Sequence, residues 1–199
     1  MESTQAKLVD VFDFDGTIYQ GDSTVDFVRF VLGENPLRAL CLIPPLLRAA
    51  GRLCLRRFSL SRWKGDLFAA LCRRMDLADA AERFWAREKT RARLGAWYFA
   101  LEGTLPRVLA SASPDFELRP AARLLGMDAL VCTRVDLTTG RLIGANCRGA
   151  EKIRRIEAAI GPFAVRAMYT DDARADGPLL AIAKERYLVR RGSVRREGA

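Results

Sequence analysis

Residues 8–17, with the sequence LVDVFDFDGT, give the clearest indication of the fold of this chain. The run at residues 8–14 is short, mostly apolar and rich in β-branched and aromatic side chains, which predicts a buried strand. A glycine-containing loop follows, so the strand carries Asp13 and Asp15 to its C-terminal end. Alternate strand residues point to opposite faces, but the loop can turn Asp15 back towards Asp13. The pair either forms a reactive site or caps a turn.

Two later predicted strands also end in polar or acidic residues. The strand at residues 107–110 is followed by Ser111, and the strand at 165–169 is followed by Asp171 and Asp172. Strands that alternate with helices predict an α/β fold, a Rossmann-like, mostly parallel sheet with helices on both faces. Sites in such sheets lie beyond the carboxyl ends of the strands. We therefore expect these side chains to converge.

The segment at residues 21–88, here called the cap segment, is predicted to be almost entirely helical. Breaks are expected at residues 33–36, 44–45 and 58–61, where glycine, proline and serine interrupt the apolar pattern. The resulting domain prediction is a catalytic α/β core at residues 1–20 and 89–199, with the cap segment inserted as a helical cap. Outside the cap segment, we also expect a helix over residues 91–102, and a helix that has Ser113 as its N-cap and Pro114 as its first residue.

Composition excludes several classes of site. The chain has 199 residues and no histidine, which removes Ser-His and Cys-His catalysis and makes a typical zinc site unexpected. Its five cysteines form no CxxC pair and cannot all be bridged within the chain, which is typical of reduced thiols in the cytoplasm. The 33 basic and 24 acidic residues give a net charge of +9, which suits an anionic partner.

No signal peptide or spanning segment is expected. The most apolar stretch, residues 39–47, contains two prolines and is far shorter than the roughly 20 apolar residues that a spanning helix needs. The expected location is the cytoplasm, including a peripheral position on the inner face of the membrane.

Four motifs in order resemble those of the haloacid dehalogenase superfamily, and the resemblance covers the whole chain. They are DFDGT at the N-terminus, Ser111 after the next core strand, Lys152 after a hairpin, and the late acidic loop at residues 171–176. The fourth motif departs from the family pattern, because no glycine precedes its aspartates. Both Asp171 and Asp172 therefore remain candidates for the same role.

The resemblance implies a role for each motif residue. Asp13 would attack phosphorus, and Asp15 would protonate the leaving oxygen and then activate water. Ser111 and Lys152 would bind the phosphate. A Mg²⁺ ion would be held by Asp13, the main-chain carbonyl of Asp15, and Asp171 or Asp172, with Asp176 ordering the loop. Oxygen ligands suit magnesium, and a divalent cation offsets the repulsion between carboxylates and a phosphate dianion.

The resemblance also narrows the reaction class. Dehalogenases of the superfamily lack an acid at the position of Asp15, whereas phosphatases keep it. A helical insertion between the first two motifs is similar to the group that contains phosphoserine phosphatases. In that group an acid near Asp22 contacts a substrate amine, although a helix N-cap is the alternative role for Asp22. Within the group, the sequence resembles bacterial phosphatidylglycerophosphatase C in its DGTIYQGDS, SASP and CRGAEK segments.

The composition of the cap segment bears on whether the protein contacts lipid. Residues 29–64 contain eight basic residues, one acid and many leucines. Such a segment is typical of an interfacial anchor on anionic lipid. The alternative is a helix whose leucines face the core and whose arginines are solvated.

Three functions therefore compete. The first is a phosphatase for a phospholipid head-group phosphate such as phosphatidylglycerophosphate, and the second is a phosphatase for a small metabolite such as phosphoserine. The third is a catalytically silent basic module that binds membrane or nucleic acid. No aromatic-studded strand pattern of an RNA-binding fold is present, so no specific nucleic-acid partner is expected.

Overall fold

A computed structural model describes residues 6–56 and 60–198 of the protein. The predicted helix break at residues 58–61 therefore falls largely outside the described residues, as does Arg57. In the part of the chain that the structure describes, seven strands form one sheet. They are β1 (Lys7–Phe12), β2 (Arg107–Pro114), β3 (Ala129–Val135), β4 (Leu142–Ile143), β5 (Phe163–Thr170), β6 (Ala183–Arg190) and β7 (Ser193–Arg196).

The sheet has the order β4-β3-β2-β1-β5-β6-β7. Strand β1 lies between β2 and β5 and is parallel to both, with Phe12 opposite Leu109 on one side and Tyr169 on the other. The outer strands β4 and β7 are antiparallel to their neighbours. The C-terminal ends of β1, β2 and β5 therefore meet at one edge of the sheet.

Helices cover both faces of the sheet, which confirms the predicted fold class. One face carries α7 (Asp115–Leu124), whose Leu118 packs in the same cluster as Phe12 and Phe14. The other face carries α8 (Ala150–Ile160) and α9 (Gly177–Ile182), whose Ile156 and Leu179 pack with Val9 and Val11. The alternation of β1 side chains between the two clusters buries both faces.

The cap segment is helical in its described residues. It contains α1 (Ser23–Glu34), a 3-10 helix (Pro36–Leu42), α2 (Ile43–Cys54), α3 (Leu60–Cys72) and α4 (Leu77–Ala86). Asp22 is the N-cap of α1, and its side chain accepts a hydrogen bond from the Val25 amide at 2.9 Å. The predicted break at residues 44–45 lies next to the boundary between the 3-10 helix and α2. Pro44 and Pro45 occupy the first turn of α2, a position that tolerates proline.

One helix prediction outside the cap segment is wrong, and one strand was missed. The helix expected over residues 91–102 is replaced by two single-turn helices, α5 (Glu88–Arg91) and α6 (Ala96–Phe99). Between them, Leu94 pairs with Tyr19 and the Gly95 amide donates to the Ile18 carbonyl, so tertiary pairing overrides helix propensity. Strand β7, which follows a turn at Arg191–Gly192, was not expected from the sequence.

The start of α7 also differs from the prediction. Pro114 ends β2 and takes the N-cap position, and no side chain caps the helix. Among the described helices, none has the length and apolar character needed to span a bilayer.

Candidate active site

Asp13 lies just beyond the C-terminal end of β1 and forms an ion pair with Lys152. The Lys152 ammonium donates to Asp13 Oδ1 at 2.7 Å, and only 3% of the Lys152 side chain is exposed. The lysine sits in the first turn of α8, which begins after Gly149 at φ 59°. Its nitrogen also lies 2.6 Å from Asp176 Oδ1, which forms a second ion pair with the lysine. Folding thus brings residues 13 and 152 into direct contact.

Asp15 is turned back towards the same edge of the sheet by two hydrogen bonds. The Ser23 amide donates to its Oδ1 at 2.6 Å, and the Ser113 hydroxyl donates to its Oδ2. The prediction that Ser113 is the cap of α7 is therefore wrong, because its hydroxyl is used by Asp15 instead. Sequence alone gave no signal for this contact, since it joins residues 98 positions apart.

Thr17 and Gly16 bring the late acidic loop to this edge. The Thr17 hydroxyl lies 3.4 Å from Asp13 Oδ2 and 3.3 Å from Asp171 Oδ1, so the two carboxylates meet around one hydroxyl. Gly16 has φ 77°, and a Cβ there would collide with the Asp171 carboxylate. Glycine is therefore required at this position both by its backbone conformation and by the close approach of the acid.

Asp172 takes a different position from Asp171. Its Oδ1 accepts hydrogen bonds from the main-chain amides of residues 174 and 175, and its Oδ2 pairs with Arg148 at the surface. Asp176 is buried behind the loop, where its Oδ2 accepts from the Thr170 hydroxyl at 2.8 Å. Asp171 therefore faces Asp13, Asp172 shapes the loop, and Asp176 joins the loop to Lys152.

Ser111 and Asp22 are the two remaining predicted site residues. Ser111 is buried in β2, and its hydroxyl accepts a hydrogen bond from the Ser113 amide at 3.1 Å. Asp22 is exposed and caps α1, which is the alternative role that the sequence left open for it.

Burial acts in opposite directions on the pKa values of Asp13 and Lys152. Burial raises the pKa of Asp13 to about 7, although the Lys152 ammonium opposes the rise. Burial alone would lower the pKa of Lys152, but the carboxylates of Asp13 and Asp176 raise it to about 12. Lysine therefore stays charged here. A divalent cation would lower the pKa of Asp13, as the Lys152 ammonium does, and would favour the ionised carboxylate.

A buried glutamate near Asp15 was missed by the sequence reasoning. Glu117 lies in the first turn of α7, and burial raises its pKa to about 8. The Thr24 hydroxyl lies 3.0 Å from Glu117 Oε2 and 3.2 Å from the Ser113 oxygen. A hydroxyl network thus connects Asp15 to the base of the cap segment. Glu117 reads as an ordinary helix residue in the sequence, so no local pattern could have identified it.

The donor set around Asp13 fits a hard divalent cation. Asp13, Asp15, Asp171 and Asp176 are four carboxylates that have one nearby lysine, so negative charge is in excess. Within the described ranges, no three His, Cys, Asp or Glu side chains form a metal-binding group. The expected set needs only two carboxylates, Asp13 and Asp171, because the third ligand is the main-chain carbonyl of Asp15. Carboxylate and carbonyl oxygens are the ligands that Mg²⁺ takes.

Comparisons with known proteins show what the chain is similar to in sequence and in fold. The sequence profile of the haloacid dehalogenase-like hydrolase family matches residues 11–181. The protein CicA of Caulobacter vibrioides is 30% identical over 202 aligned positions, which cover 93% of this chain and 87% of CicA.

Solved structures show the same fold. A protein of unknown function from Bordetella pertussis Tohama I has a TM-score of 0.66 at 22% identity, over 89% of this chain and 87% of the other. A probable phosphoserine phosphatase from Vibrio cholerae has a TM-score of 0.50 at 13% identity, over 90% of this chain and 55% of the other. At these identities the similarity establishes the architecture alone.

Proposed function

The chain belongs to the haloacid dehalogenase-like hydrolases, and from this premise we propose that it is a Mg²⁺-dependent phosphomonoesterase that works through an aspartyl-phosphate on Asp13. The observation that carries the proposal is the contact of 2.7 Å between Asp13 and the buried Lys152, beside a second acid, Asp15, at the same strand end. This arrangement counts against the catalytically silent module, because burying a lysine against a strand-end carboxylate costs desolvation, and such perturbed ionisable groups cluster at functional sites.

The reaction takes two steps. A carboxylate oxygen of Asp13 attacks phosphorus while the bond to the leaving oxygen breaks, and Asp15 gives its proton to that oxygen. Asp15 then takes a proton from water, whose oxygen attacks the phosphorus of the acyl phosphate. Inorganic phosphate leaves and Asp13 returns as a carboxylate. Ser111 and Lys152 bind the phosphate oxygens.

Mg²⁺ would be held by Asp13, the main-chain carbonyl of Asp15 and Asp171. When bound, the ion would neutralise charge on the phosphoryl group, which is the main requirement of phosphoryl transfer. Asp171 is preferred to Asp172 as the ligand, because it faces Asp13 around Thr17 whereas Asp172 is tied to its own loop and to Arg148. The division into a core and an inserted cap, with domain bounds at residues 20, 21, 88 and 89, is part of the same proposal.

The substrate we propose carries its phosphate on a lipid, as the resemblance to phosphatidylglycerophosphatase C implies. The orientation of α2 supports this. Its large aliphatic side chains form one stripe that faces away from the protein, with exposures of 54% for Leu46, 67% for Leu47 and 65% for Leu53. Leucines at this spacing lie on one helix face. The alternative in which these leucines face the core does not describe α2.

Charge contributes less to membrane binding than the sequence suggested. Acids that flank the basic stretch bind part of it, since Asp26 pairs with Arg29, and Asp66 with Arg48 and Arg52. Arg56 is exposed, and the chain as a whole carries a net charge of +9. The surface we propose for docking on an anionic membrane is therefore the leucine stripe of α2, with basic residues such as Arg56 at its rim. It would place the protein peripherally on the cytoplasmic face.

We expect flotation with vesicles that contain anionic phosphatidylglycerol, and weaker flotation at high salt. Each Lys or Arg near such a surface contributes about 1 kcal/mol, which salt screens. Inserted leucines add roughly 25 cal/mol per Å² of apolar area removed from water. Replacing Leu46, Leu47 and Leu53 with Ser should therefore reduce binding at least tenfold. Replacing Arg56 and Arg57 with Gln should weaken it further at low salt.

A matched control distinguishes the stripe from general hydrophobicity. Leu124, Ile143 and Ile182 are exposed aliphatic residues outside the cap segment, and their replacement with Ser should leave flotation unchanged. Wild-type protein that stays unbound on anionic vesicles at low salt would remove the membrane proposal. A concentration-dependent dimer in sedimentation that the Leu→Ser variant loses would assign the stripe to a second copy of the chain instead.

A phosphate-release screen tests the substrate. It compares phosphatidylglycerophosphate in detergent micelles with phosphoserine and other small phosphomonoesters, all with Mg²⁺. We expect kcat/KM for the lipid phosphate to exceed that for phosphoserine at least tenfold. Preference for phosphoserine would favour the small-metabolite phosphatase, which the architecture shared with a probable phosphoserine phosphatase keeps as the second candidate.

A further inference from the structure

A cavity lined by arginines lies on the opposite side of α2 from the leucine stripe. A cavity of about 850 Å³ opens between α2 and α3 of the cap segment and the β3–β4 hairpin of the core. The hairpin contributes Thr138, Thr139 and Arg141 to its wall. The hairpin tip touches α3 directly, because a Cβ on Gly140 would collide with the Ala69 backbone. The cavity therefore lies between the cap segment and the core, and none of the candidate active-site residues lines it.

The cavity wall is strongly basic. It contains one acid, Asp66, and six arginines, so its formal charge is 6 − 1 = +5; the arginines are Arg48, Arg52, Arg62, Arg73, Arg74 and Arg141. Asp66 lies 2.6 Å from Arg52 and 3.9 Å from Arg48. No salt bridge within the described ranges involves the other four. Six arginines thus line one space with a single acidic residue among them.

A second arginine-lined cavity serves as a comparison, because most of its arginines form ion pairs with acids. The cavity of about 880 Å³ beside α7 and α8 is also lined by arginines, but most of them are paired. Arg119, Arg123 and Arg155 form ion pairs with Asp115, Glu82 and Glu151, respectively. Like charges that share a confined space repel one another, and an anion in that space relieves the repulsion. The cavity between the cap segment and the core has an excess of like charge, whereas most arginines of the cavity beside α7 are paired with acids.

We propose that the cavity between α2, α3 and the β3–β4 hairpin binds a water-soluble polyanion with two or more phosphate groups. The guanidinium fork matches phosphate oxygens in pairs, so several arginines around one space suit several phosphates. A volume of about 850 Å³ falls within the range of small-molecule sites. The leucine stripe and Arg52 lie on opposite faces of α2, which separates this ligand from a membrane under the stripe.

The ligand would join the two parts of the chain. Arg73 and Arg74 follow α3 in the cap segment, whereas Arg141 belongs to the hairpin of the core. A polyphosphate held by all three would tie the cap segment to the core. Binding should therefore raise the melting temperature, whether or not the protein turns over a substrate.

Calorimetric titration with tripolyphosphate at low salt tests the site, with magnesium left out because tripolyphosphate chelates it. We expect saturable binding that weakens with salt and is reduced at least tenfold by Arg73→Gln, Arg74→Gln and Arg141→Gln together. Arg134, Arg154 and Arg195 are exposed arginines elsewhere, and their triple replacement with Gln makes the same change in net charge. That control should bind within twofold of wild type. Arg141→Gln alone should weaken binding at least threefold, and melting curves report folding.

Two further measurements separate the site from its alternatives. Product inhibition by inorganic phosphate reports the Asp13 site, and its constant should not change in the cavity variant. Equal losses in both triple variants, no binding by wild type, or complete displacement of tripolyphosphate by inorganic phosphate would each overturn the proposal. Loss of vesicle binding in the cavity variant, with tripolyphosphate unable to bind wild type, would assign the cavity to a lipid head group.

Discussion

We expect Asp13→Asn to eliminate phosphate release while the protein stays folded. An amide oxygen is a poor nucleophile and cannot form the acyl phosphate, so kcat is expected to fall by about 10³-fold or more, as when a nucleophile is removed from other enzymes. The fold should persist, because Asn has the same shape as Asp and Lys152 keeps its contact with Asp176 at 2.6 Å. Turnover on the best substrate of the screen and thermal melting measure the two effects.

Asp22→Asn provides the matched control for this change. Asp22 carries the same side chain at an exposed helix N-cap, and Asn serves that position equally well. If Asp22 only caps α1, kcat stays within twofold of wild type and so does KM. A fall in kcat/KM with unchanged melting would instead assign Asp22 to substrate binding. Asp13→Asn activity within tenfold of wild type would show that Asp13 is not the nucleophile.

We expect chelation of divalent metal to abolish turnover, and added Mg²⁺ to restore it. The physical reason is the excess of carboxylates around Asp13, which one lysine cannot balance against an incoming phosphate dianion. Activity should fall to background in excess EDTA and return in proportion to added Mg²⁺. Full turnover in EDTA would contradict the proposed metal site.

Two neighbouring substitutions identify the ligand. Asp171→Asn should raise the Mg²⁺ concentration for half-maximal activity at least tenfold, because its carboxylate faces Asp13 around Thr17. Asp172→Asn should raise it less than threefold, because that side chain holds its own loop and pairs with Arg148. A larger effect at Asp172 would reverse the assignment. Direct titration of Mg²⁺ by calorimetry gives the same comparison without turnover.

Much of the fold could be predicted because its signals are local. A short apolar run followed by an acidic, glycine-containing loop predicts a strand that ends in a pocket, and alternation of strands with helices predicts a parallel sheet. The predictions that failed depend on contacts between residues that are far apart in the sequence. The helix expected at residues 91–102 is interrupted where Leu94 and Gly95 pair with the segment after β1, and no pattern within that window encodes the pairing.

The fold class and the residue types at the candidate site follow from local sequence patterns, since hydrophobic periodicity predicts where the strands end. Only the tertiary structure distinguished Asp171 from Asp172, because adjacent residues share every local signal and differ only in what the fold brings against them. The same holds for α2, whose leucine spacing predicts one apolar face but cannot say whether that face turns inward. The direction is set by contacts such as that of Arg52 with Asp66, 14 residues away. Burial is a property of the assembled chain, and periodicity fixes only which residues share a face.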